Sequence, residues 1–143
     1  MATFNKVDNW VLEMGRGANL NTDTFVLYLC TNANVPVQAT TTGRTTGITN
    51  STGGYAETDI QNTWTEASGT GTLNVGGAGN DVVYTATGAG FGPFQHAVIM
   101  DDTLTTPVAD PVVCWHDYGS TITLVAAGET FTWNSDGTLF TIS

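Results

Sequence analysis

Past Arg44 the chain has no lysine or arginine. Lys6, Arg16 and Arg44 are its only ones, against 13 carboxylates, and the formal net charge is −10. Such a surface cannot displace counterions from DNA or RNA, and it has little to hold an anionic membrane. It also lacks the cation clamps that nucleotides and acidic metabolites require. The only two cysteines, Cys30 and Cys114, are far apart and form no CxxC pair, so no zinc framework is expected. Both lie in apolar strand-like runs and read as buried free thiols. No apolar stretch approaches the roughly 18 residues of a membrane span. The opening MATFNKVDNW shows no basic region followed by an apolar one, so folding in a cytoplasm is expected rather than secretion. There is no GxSxG elbow, and no cysteine sits in an electropositive setting.

What the chain does have is β-forming material. Hydrophobic residues make up 41% of the 143 and charged residues only 11%. Polarity comes from threonine, which favours strands, and from glycine at turns. The length suits one domain with a real core. The only helical period is at the start, where Val7, Trp10, Val11 and Met14 fall at i, i+3, i+4 and i+7. This predicts a short amphipathic helix within 4–16, capped by Asn5 or Asp8 and stopped by Gly15 to Gly17. Too short to stand alone, it must dock on the body or on a neighbouring subunit.

From residue 23 to 143 strand signals recur at short spacing, the pattern of an all-β sandwich or barrel. Thr24 to Thr31 is the strongest. Residues 32–54 read as a long polar loop with a short edge strand near Ile48, and a loop of that length is usually functional or ordered by a partner. Strand pieces follow at Tyr55 to Ile60, Asn62 to Glu66, Thr72 to Val75 and Asp81 to Thr87, the last after a tight GGAGN turn. Further strands are expected at Phe94 to Asp101, Val112 to Tyr118, Ser120 to Val125, Glu129 to Asn134 and Thr138 to Ile142. The sequences AAGE and NSDG supply hairpin turns between the last three. Phe131 and Trp133 share one face of their strand, and the final strand reads as buried on both faces.

Catalytic and metal chemistry has few places to reside. Gly76 to Tyr84 fits one copy of the calcium nonapeptide, but a single copy cannot complete a shared coordination shell, so it reads as a glycine-rich turn. Gly88, Gly90 and Gly92 precede Pro93 and a strand, not a helix, and the dinucleotide fingerprint fails. His96 and His116, with Asp101, Asp102 and Asp117, are the only groups from which a metal or acid–base site might form, and no ligand spacing marks them. Glu57, Asp59 and Glu66 are the carboxylates available to a glycosidase pair, a weak signal by themselves. No catalytic, cofactor or metal residues are therefore assigned, and the chain reads as a non-enzyme. Trp115 and Trp133 read as core residues, and Trp64, beside the polar 61–70 stretch, as the tryptophan open to a sugar.

Four segments carry a wider resemblance: DTFVLYL at 23–29, GPFQHAVIMDD at 92–102, CWHDYGSTITL at 114–124 and GETFTW at 128–133. With the N-terminal FNKVDNWV, they resemble a family of small β-rich virion proteins of tailed bacteriophages. The resemblance implies a capsid decoration, or cement, protein on the outer surface of the virion, made in the bacterial cytoplasm and bound to the major capsid protein. It supplies no catalytic residues. The combined expectation is a single domain, a β-sandwich of jelly-roll or Greek-key type with a short N-terminal helix. It self-associates as a dimer or trimer and binds neither nucleic acid nor membrane. Phe4, Val7, Trp10, Val11, Met14, Arg16 and Arg44 are the candidate capsid or subunit interface. The alternative is a tail or adsorption component that binds carbohydrate.

Overall fold

The computed structural model describes residues 2–50, 52–60, 62–76, 81–134 and 136–142. Antiparallel sheets dominate, with one short helix. Strands β1 (Thr3–Lys6), β2 (Phe25–Cys30), β3 (Thr58–Ile60), β7 (Phe91–Asp101) and β8 (Val112–Leu124) form a five-stranded sheet in the order β1-β8-β7-β2-β3. Strands β4 (Asn62–Ala67), β5 (Thr70–Gly76) and β10 (Asp136–Ile142) form a second sheet, ordered β10-β5-β4. The pair β6 (Val82–Thr85) and β9 (Thr130–Trp133) forms a third.

Alternation along β2 explains how this body is organised. Phe25, Leu27 and Leu29 point to one side of the large sheet, and Val26, Tyr28 and Cys30 to the other. All six are buried, so the apolar run FVLYLC is the signature of a strand covered on both faces. On the inner side the main core also takes Leu73 and Val75 from β5, Tyr84 from β6, and Phe131 and Trp133 from β9. Aromatic contacts such as Phe94 on Phe131, 4.9 Å between centroids and nearly perpendicular, knit the layers together. On the outer side a second, smaller cluster joins Val26, Tyr28, Val98, Met100 and Trp115.

The cover over that outer cluster comes from the stretch expected to be a free loop. After a 3₁₀ turn at Asn32–Asn34, Val35 packs on the cluster and Pro36 is buried. The Gln38 carbonyl accepts from Asp8 N–H at 2.9 Å, and the Thr42 carbonyl from Val112 N–H at 3.0 Å. The Tyr28 hydroxyl accepts from Thr45 N–H at 3.2 Å and lies 3.0 Å from Thr45 Oγ1. The chain's own strands thus hold this stretch at Val35, Gln38, Thr42 and Thr45. The edge strand expected near Ile48 reduces to one hydrogen bond, Ile48 N–H to Leu29 O at 2.8 Å.

Other expectations change in detail. The helix does not occupy 4–16: residues 3–6 are β1, paired with β8, and helix α1 runs only from Trp10 to Arg16. Val7 lies between the two elements, so the i, i+3, i+4, i+7 spacing straddles a strand end and a helix start. Val112–Leu124 is one strand, not two; Asp117 Oδ1 accepts from Gly119 N–H at 2.7 Å, and a bulge with Gly119 at φ +75° takes up the break. Neither AAGE nor NSDG closes a hairpin, since β8, β9 and β10 lie in three different sheets, with β9 paired to β6 and β10 to β5; residue 135 of NSDG lies outside the described ones. The GGAGN turn falls mostly on residues 77–80, outside the described ones, and it links strands of different sheets. The last strand is not buried on both faces, because Ile142 and Thr141 face solvent.

Candidate functional site

The candidate interface residues separate into three groups. Val7 and Trp10 are core. Val7 is fully buried in the outer cluster, and Trp10, 1% exposed, meets Phe25 edge-on at 6.1 Å in the inner one. The sequence spacing places both on one docking face of a helix; in fact they serve opposite sides of the large sheet. Arg16 and Arg44 are already engaged. Arg16 pairs with Glu13 at 3.0 Å, while Arg44 forms a two-pronged pair with Glu57 and lies 5.0 Å from the centre of the Tyr28 ring. Of the five apolar candidates, Phe4 and Val11 are exposed and Met14 is half-buried against the inner core.

These three lie along one flank of the molecule, where β1 is the free edge of the large sheet and β10 the free edge of the second. A cleft of about 310 Å³ separates them, with Phe4 and His116 on one wall and Thr138 and Leu139 on the other. It is followed by one of about 340 Å³ between Lys6, Val11 and Met14 and residues Phe140 to Ile142. Along this flank Val11 is 52% exposed, Phe4 43% and Ile142 44%, and Leu12 beside Val11 on the helix is exposed too; Val37, Val83 and Val125, which line neither cleft, are also exposed. Leu12 was missed because its helical position falls off the assumed stripe. Ile142 was missed because the last strand was assigned to the core.

Lys6 also lines this flank, and among the described residues it is the one Lys or Arg with no carboxylate partner. No described carboxylate lines either cleft. His116 forms part of the floor. Its Nδ1 accepts from Trp133 Nε1–H at 3.3 Å, leaving the proton of the neutral ring on Nε2, and burial keeps the ring's pKa below its usual value.

The two histidines do not form a site together. His96 pairs across the ladder with Asp117, and His116 with Ala97, so the two rings stand on opposite faces of the same sheet. His96 is buried, with Nε2 3.2 Å from Asn32 Oδ1 and Nδ1 3.6 Å from the Asp117 carboxylate. Desolvation lowers its pKa, with Asp117 opposing the shift. Among the described residues, no three histidine, cysteine or acidic side chains converge on a point that would suit a metal ion.

A carboxyl pair that the sequence did not single out lies elsewhere. Asp101, fully buried at the end of β7, accepts from Thr103 N–H at 3.0 Å and Leu104 N–H at 3.3 Å, while its Oδ2 meets no N–H donor and has only the Asp23 carboxyl to share a proton with. Burial pushes its pKa up to about 6, and the adjacent Asp23 carboxyl pushes the same way. Asp23 in turn accepts from Asn19 N–H. The pair fastens the turn before β2 to the start of the β7–β8 connection. Trp64, the tryptophan expected to be open, is half-buried, with its indole lying across Gly71.

Comparison with family models, with curated proteins and with solved structures finds no match to this chain. No described helix is long and apolar enough to cross a membrane.

Proposed function

We propose that the chain is a non-enzymatic structural protein of a tailed-phage virion. In this reading it decorates and stabilises the icosahedral head by docking on the major capsid protein. The observation that carries the docking is the flank where exposed Phe4, Val11 and Ile142 line two adjoining clefts between the free edges of two sheets, which offers a partner both apolar contact and an open edge. The family resemblance supplies the head as the place. The charge fits a site outside the shell, because a chain of net −10 is repelled by packaged nucleic acid. Many copies at symmetry-related positions gain retention from weak single contacts. The same reading takes the fold as a sandwich of jelly-roll or Greek-key type. It is supported by an inner core that draws on all three sheets. It also takes self-association as a dimer or trimer on the shell.

The alternative is a tail or adsorption component with carbohydrate contact through Trp64 and the polar loops; the half-buried indole, packed across Gly71, leaves less of its face for a sugar. Immunogold labelling of intact virions tests the assignment. Gold over the heads is expected. Gold confined to the tail would favour adsorption, and absence from purified particles would remove the virion role. A V11D/L12D double variant should fold normally yet fail to occupy heads, and unchanged occupancy would sink the docking flank.

A further inference from the structure

The two edges of the flank run the same way. Phe4 faces Thr138 and Leu139 across the first cleft, and Lys6 faces Phe140 to Ile142 across the second. As β1 advances, β10 therefore advances beside it. Among the described residues, neither pairs with another strand on its outer side and no ladder joins them. A single extended segment laid antiparallel to one is then antiparallel to the other. The inward side chains of β1, Phe4 and Lys6, stand where they would meet alternate side chains of that segment.

We propose that this flank binds by strand addition. An extended segment of a different protein pairs with the open edge of β1 and fills the cleft against β10. Its inward positions alternate apolar side chains with one carboxylate opposite Lys6. The carboxylate follows from charge: Lys6 is the unpaired cation among the described residues, and no described acid lines the cleft. A different protein rather than a second copy follows from charge as well, since a copy brings another −10 to a surface whose other two cations are internally paired. A lysine on an open strand edge also serves simply to keep that edge from aggregating. That role gives no preference for one peptide over another.

The inference deepens the docking reading and rests on it for biological meaning, but it is tested without virions. The probe is a capped eight-residue peptide with threonine outward, valine inward and one inward aspartate, paired with a control carrying lysine there. Amide chemical shifts of the whole chain should move at Thr3 to Lys6 and Thr138 to Ile142. The wild type should prefer the aspartate peptide by roughly threefold, as a solvent-screened ion pair allows. K6E should reverse the preference. No response to either peptide, shifts centred on the β3 or β4 edges, or equal affinity for both would overturn strand addition. Each of those results leaves head decoration standing if V11D/L12D still abolishes it. Sedimentation of the chain alone, showing a dimer that F4D dissociates, would instead put a second copy in the cleft and overturn the choice of partner.

Discussion

Trp10 and Val11 are neighbours with opposite duties. Truncating Trp10 to alanine removes an indole from the inner core and should cost about 3–5 kcal/mol in denaturant unfolding, whereas V11D at an exposed helix position should fall within about 0.5 kcal/mol of wild type. The spacing of the apolar residues gave both the same role, because periodicity identifies a stripe without saying where the helix begins. Asp101 and the histidines set the acid response in opposite directions. Asp101, raised to about 6 against an unfolded value near 3.8, takes up a proton on the folded side first, so it adds stability as pH falls through that window. His96 and His116, depressed below 6.5, are protonated first in the unfolded chain and subtract stability as pH falls below about 6.5. In D101N the amide can donate to Asp23 as the protonated acid would, removing only the favourable half. Unfolding midpoints should then be higher than wild type at pH 7.5 and should fall more steeply between pH 6.5 and 4. A parallel pair of curves would mean that Asp101 is ionised throughout.

At the scale of elements, the outer layer is the least expected part of the fold. Threonine, glycine and one proline carry no periodicity, so 32–54 reads as a loop waiting for something. What it waits for is Tyr28, whose hydroxyl emerges on the outer face of β2 and is held by Thr45. Tyr28→Phe leaves Thr45 N–H without its acceptor and should destabilise by about 1–2 kcal/mol. Amide exchange should accelerate across 40–48 well before the strands respond. Uniform acceleration over the whole chain would mean that the layer has no stability of its own. The strands themselves were legible where a pattern ran unbroken, the alternation of TFTW in β9 or the continuous apolar run FVLYLC in β2. Legibility failed where a bulge passed for a turn at Gly119, and where neighbours in sequence, β8, β9 and β10, pair with strands far away. Local pattern carries the strand but not its partner, because ladder pairing is decided by which apolar faces meet.

Taken whole, the molecule presents a largely acidic exterior, a flank with two open strand edges and a main sheet clad on both sides. That cladding makes the two cysteines independent witnesses. Cys30 lies beneath the outer layer and Cys114 in the main core; burial pushes the Cys30 thiol up to about 12 and raises Cys114 further. Neither should react with an alkylating reagent in the closed protein. Their opening events differ, however: lifting the 32–54 layer uncovers Cys30 alone, while Cys114 waits for the two inner sheets to part. Labelling with time should therefore be biphasic, with Cys30 first and accelerated by Tyr28→Phe, and Cys114 following at the rate of global unfolding. Simultaneous labelling would show the layer and the core opening together. The sheet thus carries a stopwatch on each side, and together they would time in solution how the protein sheds its coat before it loses its body.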